Sequence, residues 1–201
     1  MGPTKVDGRR ARGLRTRDAI VTSLLDLIAA GDIAPTAQRI ADRAGVSVRS
    51  VYQHFTDVEG LYADASARTY QWVLSMTIAI DPAWPIERRL DAFVTSRSTV
   101  LEAITPFSRA SRLVEPTSAA IRQNRHTLQC ESRDRLAATF APELDRLAPA
   151  ERANVLGALD VLTSWPAWEH LRSSGCTMKA ARQVVRTGCE AVLAGCRAPQ
   201  P

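Results

Sequence analysis

The chain has 201 residues, of which 45% are hydrophobic and 23% charged, and its formal net charge is +5. No run approaches the ~18 consecutive apolar residues of a membrane-spanning helix, and the arginines near the N-terminus are not followed by the apolar segment of a secretory signal. We therefore expect a cytoplasmic protein with no membrane partner, built as one large domain or as a small domain followed by a larger one.

The basic side chains are concentrated at the N-terminal end. Residues 1–56 hold nine basic and five acidic side chains, whereas the remaining 145 residues hold 17 basic and 16 acidic ones. Because DNA is a polyanion, this asymmetry indicates that the N-terminal part contacts nucleic acid.

Residues 1–13 are rich in basic side chains and show no apolar periodicity, so we expect a flexible basic arm. Its Arg9, Arg10 and Arg12 either enter a DNA minor groove or form a solvated tail. A first helix is predicted from Leu14 to Ala30, because Ile20, Leu24, Leu27 and Ile28 follow the spacing of a core-facing stripe.

The stretch from Pro35 to Phe55, PTAQRIADRAGVSVRSVYQHF, predicts two short helices joined by a tight turn. Thr36 and Ser47 are good N-caps for the two helices, and Gly45 suits the left-handed end of the first. Val51 and Phe55 repeat at a spacing of four and should pack inward, which leaves a polar outer face that fits a DNA major groove. The pattern is that of a helix-turn-helix.

This motif, T-x-x-x-I-A-x-x-A-G-V-S-x-x-x-x-Y-x-H-F from Thr36 to Phe55, resembles the DNA-binding domain of the tetracycline-repressor (TetR) family. The resemblance extends over roughly residues 14–75 and implies a sequence-specific transcriptional regulator. By motif position, Gln38 and Arg49 are expected to read base edges, and Val48 to meet a thymine methyl group unless it packs inward. The remaining residues of the expected DNA-binding set contact phosphates or lie on the outer face: Thr36, Arg39, Ser47, Ser50, Tyr52, Gln53 and His54.

A further helix is predicted from Thr56 to about Ile80, opened by a capping box between Thr56 and Glu59. The TetR family usually has a basic residue at the start of this helix, where this chain has Val58. One phosphate contact of the family is therefore expected to be absent.

Proline and glycine then divide the C-terminal part into five more helices, which are predicted at about 86–104, 107–114, 117–140, 149–173 and 177–196. No segment alternates as a strand would. The predicted fold is all-α with about nine helices. It comprises a basic arm at 1–13, a helix-turn-helix DNA-binding domain at 14–75 and an effector-binding and dimerisation domain at 76–201.

The TetR resemblance also implies a homodimer held by the last two helices, which covers two half-sites of a palindromic operator. It further implies repression that a small-molecule effector relieves. The residues chosen as the effector pocket offer apolar surface and a few polar groups, and the aromatic ones among them fit a hydrophobic core equally well. They are Trp72, Phe93, Arg97, Phe107, Trp165, Trp168 and His170, and we expect the effector to be mostly apolar.

Other functions stay open at this stage. They are a DNA-binding protein without an effector, which would bind with little sequence preference, and an activator. An enzyme is not expected, because the sequence has no nucleophile elbow, phosphate loop or paired metal-ligand spacing, and no cofactor or metal is implied. The four cysteines, Cys130, Cys176, Cys189 and Cys196, form no C-x-x-C pair and are expected to be reduced, although Cys189 and Cys196 share a helical face.

Overall fold

The computed structural model describes residues 5–196, and in this part of the chain it shows ten α-helices and no strand. The all-α class expected from the sequence is confirmed. None of the described helices is both long and apolar enough to cross a bilayer. The helices are α1 Lys5–Ala29, α2 Ala37–Ala44, α3 Val48–His54, α4 Val58–Met76, α5 Ile86–Val114, α6 Ala119–Thr139, α7 Ala141–Leu144, α8 Pro149–Leu162, α9 Trp165–Ser173 and α10 Met178–Gly195.

The helices divide into two compact units. The first, here called the head, comprises the chain up to Trp72 together with Pro106–Arg125. The second, here called the body, comprises Val73–Thr105 and the chain from His126 onwards. The segment Pro106–Arg125 thus belongs to the head, although the sequence analysis assigned it to the larger C-terminal domain.

The core of the head is built from α1 to α4. Ile20, Leu24 and Ile28 of α1 are buried, as their spacing predicts, and they pack in one cluster with Val51 and Phe55. Ala110 and Ile121 belong to the same cluster. Replacing one large side chain of this cluster by alanine would lower the free energy of unfolding by about 2–5 kcal/mol. Because the cluster includes residues of α1, α2 and α3, it holds these helices in one arrangement.

The predicted ends of the two short helices are confirmed. The Thr36 hydroxyl accepts a hydrogen bond from the Arg39 backbone N–H at 3.3 Å, and the Ser47 hydroxyl accepts one from the Ser50 N–H at 3.1 Å. Gly45 has φ +66°, a left-handed conformation that side chains with a Cβ rarely adopt. Local chemistry therefore sets the turn between α2 and α3.

The predicted capping box of α4 is wrong. This helix begins at Val58, and the side chain of Asp57 accepts a hydrogen bond from the Gly60 N–H at 2.8 Å. A carboxylate one residue after Thr56 is a stronger cap, because it also interacts favourably with the positive end of the helix dipole. The helix ends at Met76, four residues before the predicted end.

Two predicted helix boundaries also differ from the structure. Pro106 lies inside α5, which runs without interruption from Ile86 to Val114. A proline removes one intrahelical hydrogen bond, and the burial of Leu101 before it and Ala110 after it stabilises the helix on both sides.

Conversely, the single helix predicted at 149–173 is two helices, α8 and α9. Ser164 has extended backbone angles and its hydroxyl accepts a hydrogen bond from the Ala167 N–H, so it caps a new helix. Pro166 lies in the first turn of α9, where its missing N–H costs nothing. The short α7 was not predicted.

The basic arm expected at 1–13 differs from the structure as well. The helix α1 begins at Lys5, and the Thr16 hydroxyl donates to the Arg12 carbonyl within it. Alanine and arginine have high helix propensities, which explains the extension through Arg10, Ala11 and Arg12. Residues 1–4 of the expected arm lie outside the described residues.

The core of the body surrounds Trp168, Phe140 and Leu159, which are fully buried. Beside it lies the ion pair of Arg89 and Glu143, in which the guanidinium donates two hydrogen bonds of 2.7 and 2.6 Å to the carboxylate. Arg89, only 3% exposed, also donates to the carbonyls of Trp84 and Thr139. Because both charges are paired and hydrogen-bonded, the pair joins α5 to α7 without leaving a buried charge uncompensated.

Candidate nucleic-acid interface

The outer face of α3 carries the exposed side chains expected of a recognition helix. Arg49, Tyr52 and Gln53 are exposed, whereas Val51 and Phe55 on the opposite face are buried in the head core. Tyr52 is an unusually exposed aromatic residue, with 53% of its surface accessible. A short helix with one buried and one polar exposed face has the geometry that enters a major groove.

Val48 lies at the first position of α3 and is partly buried against the head core. This placement corresponds to the alternative in which Val48 packs inward. Part of its apolar surface is therefore used in packing within the head.

The N-terminal ends of α2 and α3 carry the two capping hydroxyls of Thr36 and Ser47, which are exposed. Each hydroxyl accepts a backbone N–H bond and keeps its own proton for a phosphate oxygen. Unpaired N–H groups and the positive end of the helix dipole favour an anion at both places. Ser50 is partly buried in the first turn of α3.

The other polar residues of the motif have partners inside the head. Gln38 donates to the Asp42 carboxylate at 2.8 Å, one turn further along α2. Arg39 forms an ion pair with Asp32 at 2.9 Å, although its side chain is exposed. To contact DNA, these two side chains would exchange their internal partners for bases or phosphates.

One residue that orients α3 is not among those expected from the sequence. Arg17 of α1 donates to the His54 backbone carbonyl at 2.7 Å and to Asp64 of α4 at 2.8 Å. Its guanidinium also stacks 4.2 Å from the centre of the Phe55 ring. Arg17 therefore joins the C-terminal end of α3 to α1 and α4. No local pattern reveals this role, since all three partners lie far from Arg17 in the sequence.

The residues predicted to bind an effector do not form one cluster. Trp72 and Phe107 belong to the head, where their rings meet edge to face at 5.7 Å. In the body, Trp168 is fully buried and its indole N–H donates to Glu102 at 2.9 Å. Trp165 donates to the Thr105 hydroxyl at 3.1 Å.

Three residues of the expected effector set remain. His170 is exposed on α9, and Phe93 is buried against Phe140 with ring centres 5.6 Å apart. Phe93 and Arg97 line one cavity of the body with a volume of about 50 Å³. Of the seven residues, Phe93, Trp165 and Trp168 thus share the core of the body, and Phe93 and Arg97 line its small cavity.

Among the described residues, no group of three or more histidine, cysteine, aspartate or glutamate side chains is arranged to hold a metal ion. The chemistry that the geometry supports on the outer face of α3 is hydrogen bonding and charge pairing with DNA.

Comparison with known proteins agrees with this geometry. Residues 20–65 match the family model described as bacterial regulatory proteins, tetR family. This match begins in α1, contains α2 and α3 and ends in α4. No curated protein matches the chain significantly.

Solved structures share the fold over nearly the whole chain. A transcriptional regulator from Rhodococcus sp. Rha1 is 18% identical, with a TM-score of 0.70 over 91% of this chain and 99% of that one. A tetR-family transcriptional regulator from Streptomyces coelicolor is 16% identical, with a TM-score of 0.68 over 93% and 90%. The multidrug binding protein EbrR, complexed with imidazole, is 16% identical, with a TM-score of 0.57 over 92% and 96%.

The helix-turn-helix geometry, the match at residues 20–65 and the shared fold agree with one another. The chain therefore carries the DNA-binding domain of the tetR family of bacterial regulatory proteins at residues 20–65, within a fold that it shares with solved transcriptional regulators.

Proposed function

We propose that the chain is a repressor that binds a palindromic operator in the cytoplasm as a homodimer and leaves it when a small, mostly apolar ligand binds the body. The observation that carries this proposal is the outer face of α3, where Arg49, Tyr52 and Gln53 are exposed on a helix anchored by Val51 and Phe55. One such helix is two turns long and covers a few base pairs, so specific binding requires a second copy.

The dimer surface is proposed to lie on α8 and α10. These helices pack closely, since a Cβ added at Gly188 would lie 3.1 Å from the Leu162 side chain. The inward stripe of α10 is already buried in the body, but Val161 of α8 is 67% exposed and Val184 of α10 is 49% exposed. Two large exposed valines on neighbouring helices are suited to packing against their counterparts in a second subunit.

Release of the operator requires that the ligand prefers one conformation of the protein. A ligand shifts an equilibrium only by its differential affinity for the two states, typically about 1–3 kcal/mol. The body contains space for a ligand, and the structurally similar EbrR is a multidrug binding protein. These two observations support a ligand-responsive body.

The test is selection of bound sequences from a random duplex pool at near-physiological salt, followed by a mobility shift on the selected sequence. We expect a palindrome with two equal half-sites and a complex that contains two protein chains. Transcription from a promoter that overlaps this palindrome should fall when the protein is added. An enriched sequence without two-fold symmetry would contradict the dimeric repressor, and no enrichment would indicate a binder with little sequence preference.

A further inference from the structure

The small cavity of the body contains two guanidinium groups. Arg97 of α5 and Arg135 of α6 both line it, and its apolar walls include Phe93 and Val100. Its volume of about 50 Å³ is enough for a carboxylate or two water molecules. Charged groups in such a space are unusual, because burial of a cation is unfavourable unless an anion accompanies it.

Arg97 has no such anion in direct contact. Its Nε donates to the Thr163 backbone carbonyl at 2.8 Å and its Nη1 to the Ser132 hydroxyl at 3.2 Å. Among the described residues, no carboxylate lies within 4.0 Å of it. The nearby carboxylates have other partners, since Glu131 pairs with Arg135 at 3.2 Å and Asp160 with Arg133 at 3.3 Å. The Arg97 guanidinium is therefore left without a carboxylate in direct contact, and Asp160 acts on it only from a greater distance.

The protonated form of Arg97 persists at neutral pH. Burial lowers the pKa of its guanidinium to about 10, with an opposing effect of Asp160 and a further lowering by Arg135. Since this pKa is well above 7, the positive charge of Arg97 is present under physiological conditions.

The cavity adjoins a larger apolar groove of the body. Ile78 and Ser96 line both spaces, and the groove has a volume of about 800 Å³. Met76 and Trp84 form part of its surface, and the Arg88 guanidinium covers the Trp84 ring at 3.7 Å. A molecule with a small charged end and a long apolar part would fill the cavity with one end and the groove with the other.

We propose that the body binds an organic monocarboxylate, with the carboxylate beside Arg97 and Arg135 and the apolar part along the groove. This inference rests on the proposed ligand-dependent release and names the chemical class of the ligand. A single carboxylate suits the one guanidinium of the cavity that no carboxylate contacts, and a guanidinium donates two parallel hydrogen bonds to it. A ligand with two or more negative charges exceeds both the charge and the volume available in the cavity.

The experiment is titration calorimetry with octanoate and with octan-1-ol, which have the same chain length but differ in charge. Octanoate should bind about tenfold more tightly than the alcohol, because its charged end gains hydrogen bonds to a guanidinium. In Arg97→Gln this preference should disappear while the affinity for octan-1-ol is unchanged. Arg97→Lys should keep part of it.

Arg152→Gln is the matched control, because Arg152 pairs with Asp145 in the body and does not line the cavity. It should retain the preference for octanoate. A preference for octanoate that persists in Arg97→Gln would overturn the proposal. Equal binding of octanoate and octan-1-ol by the unmodified protein would overturn it too, and this comparison needs no variant. Inorganic phosphate that displaces octanoate at similar concentration would also overturn it, because the apolar part would then contribute nothing.

Calorimetry without DNA separates this inference from the proposed function. If octanoate binds with the expected preference but the operator complex persists, the site is confirmed and ligand-dependent release fails. If another compound releases the operator and octanoate shows no preference, release is confirmed and the carboxylate site fails.

Discussion

Three arginines of the helix-turn-helix are exposed, but they differ in their partners. Arg39 and Arg43 form ion pairs with Asp32 and Asp26, both at 2.9 Å. Arg49 makes no ion pair or side-chain hydrogen bond with any residue that the structure describes. All five of its N–H donors are therefore available to DNA, as the bidentate recognition of guanine requires.

We expect Arg49→Ala to relax the preference at one base pair of each half-site by about 1–3 kcal/mol. The measurement is competition between the selected operator and its single-base variants in a mobility shift. Arg43→Ala, which removes an equal charge from the head, is the control and should weaken binding to all sequences alike. If Arg49→Ala also weakened all sequences equally, Arg49 would be a phosphate contact.

The cysteines illustrate how burial decides reactivity at the scale of one residue. All four are free, and Cys189 is completely buried in α10. Burial raises the pKa of its thiol to about 12, so almost none of the reactive thiolate exists at neutral pH. Burial also raises the pKa of Cys196, with Glu151 and Glu143 adding to the effect. The redox role that their shared helical face left open is disfavoured.

At the scale of elements, the position of α3 depends on contacts between helices. Arg17 joins the last residue of α3 to α4, through the His54 carbonyl and Asp64. Arg68 of α4 makes comparable contacts to Asp18 and Thr22 of α1, but none of them involves α3. The two arginines therefore allow the orientation of α3 to be tested separately from the stability of the head.

We predict that Arg17→Ala lowers the free energy of unfolding by about 1–2 kcal/mol. The partly exposed ion pair with Asp64 contributes little by itself, and the hydrogen bond to His54 and the contact with the Phe55 ring contribute the rest. Operator affinity should fall about tenfold, because α3 would no longer be held in one orientation. Arg68→Ala is the control, with a similar loss of stability in urea unfolding and little change in affinity. Equal losses of operator affinity in both variants would show that Arg17 acts on stability alone.

At the scale of the whole molecule, the proposed function depends on assembly. Leu156 and Leu159 of α8 and Val185 and Leu193 of α10 are buried within the body, so they are not available to a second subunit. Val161 and Val184 are the exposed valines of these two helices. A dimer through α8 and α10 would therefore bury these two residues.

The double substitution Val161→Glu with Val184→Glu should convert the dimer to a monomer at micromolar concentration, because it places charges in an apolar contact. Light scattering after gel filtration measures the mass, and a mobility shift measures the loss of affinity for the full palindrome. Leu113→Glu is the control, since Leu113 is 57% exposed on α5 and outside the proposed surface. A double variant that remains dimeric would place the interface elsewhere.

The sequence by itself determined the all-α class and the ends and buried face of the recognition helix α3. Thr36, Gly45 and Ser47 act on backbone groups within three or four residues, and the spacing of Val51 and Phe55 sets which face is buried. Such short-range effects can be predicted from a sequence, because helix propensity, capping and apolar periodicity all indicate the same two helices between Thr36 and Phe55. The same local chemistry explains why Asp57, and not the predicted Thr56, caps α4.

Only the tertiary structure decided the features that depend on residues far apart in the chain. Packing kept α5 continuous through Pro106, brought Arg17 to the end of α3 and placed Arg97 beside a cavity without a carboxylate in direct contact. It also brought Trp72 and Phe107 together in the head, where their rings meet edge to face. Composition and spacing carry no information on these contacts, because each arises where the folded chain brings distant helices together.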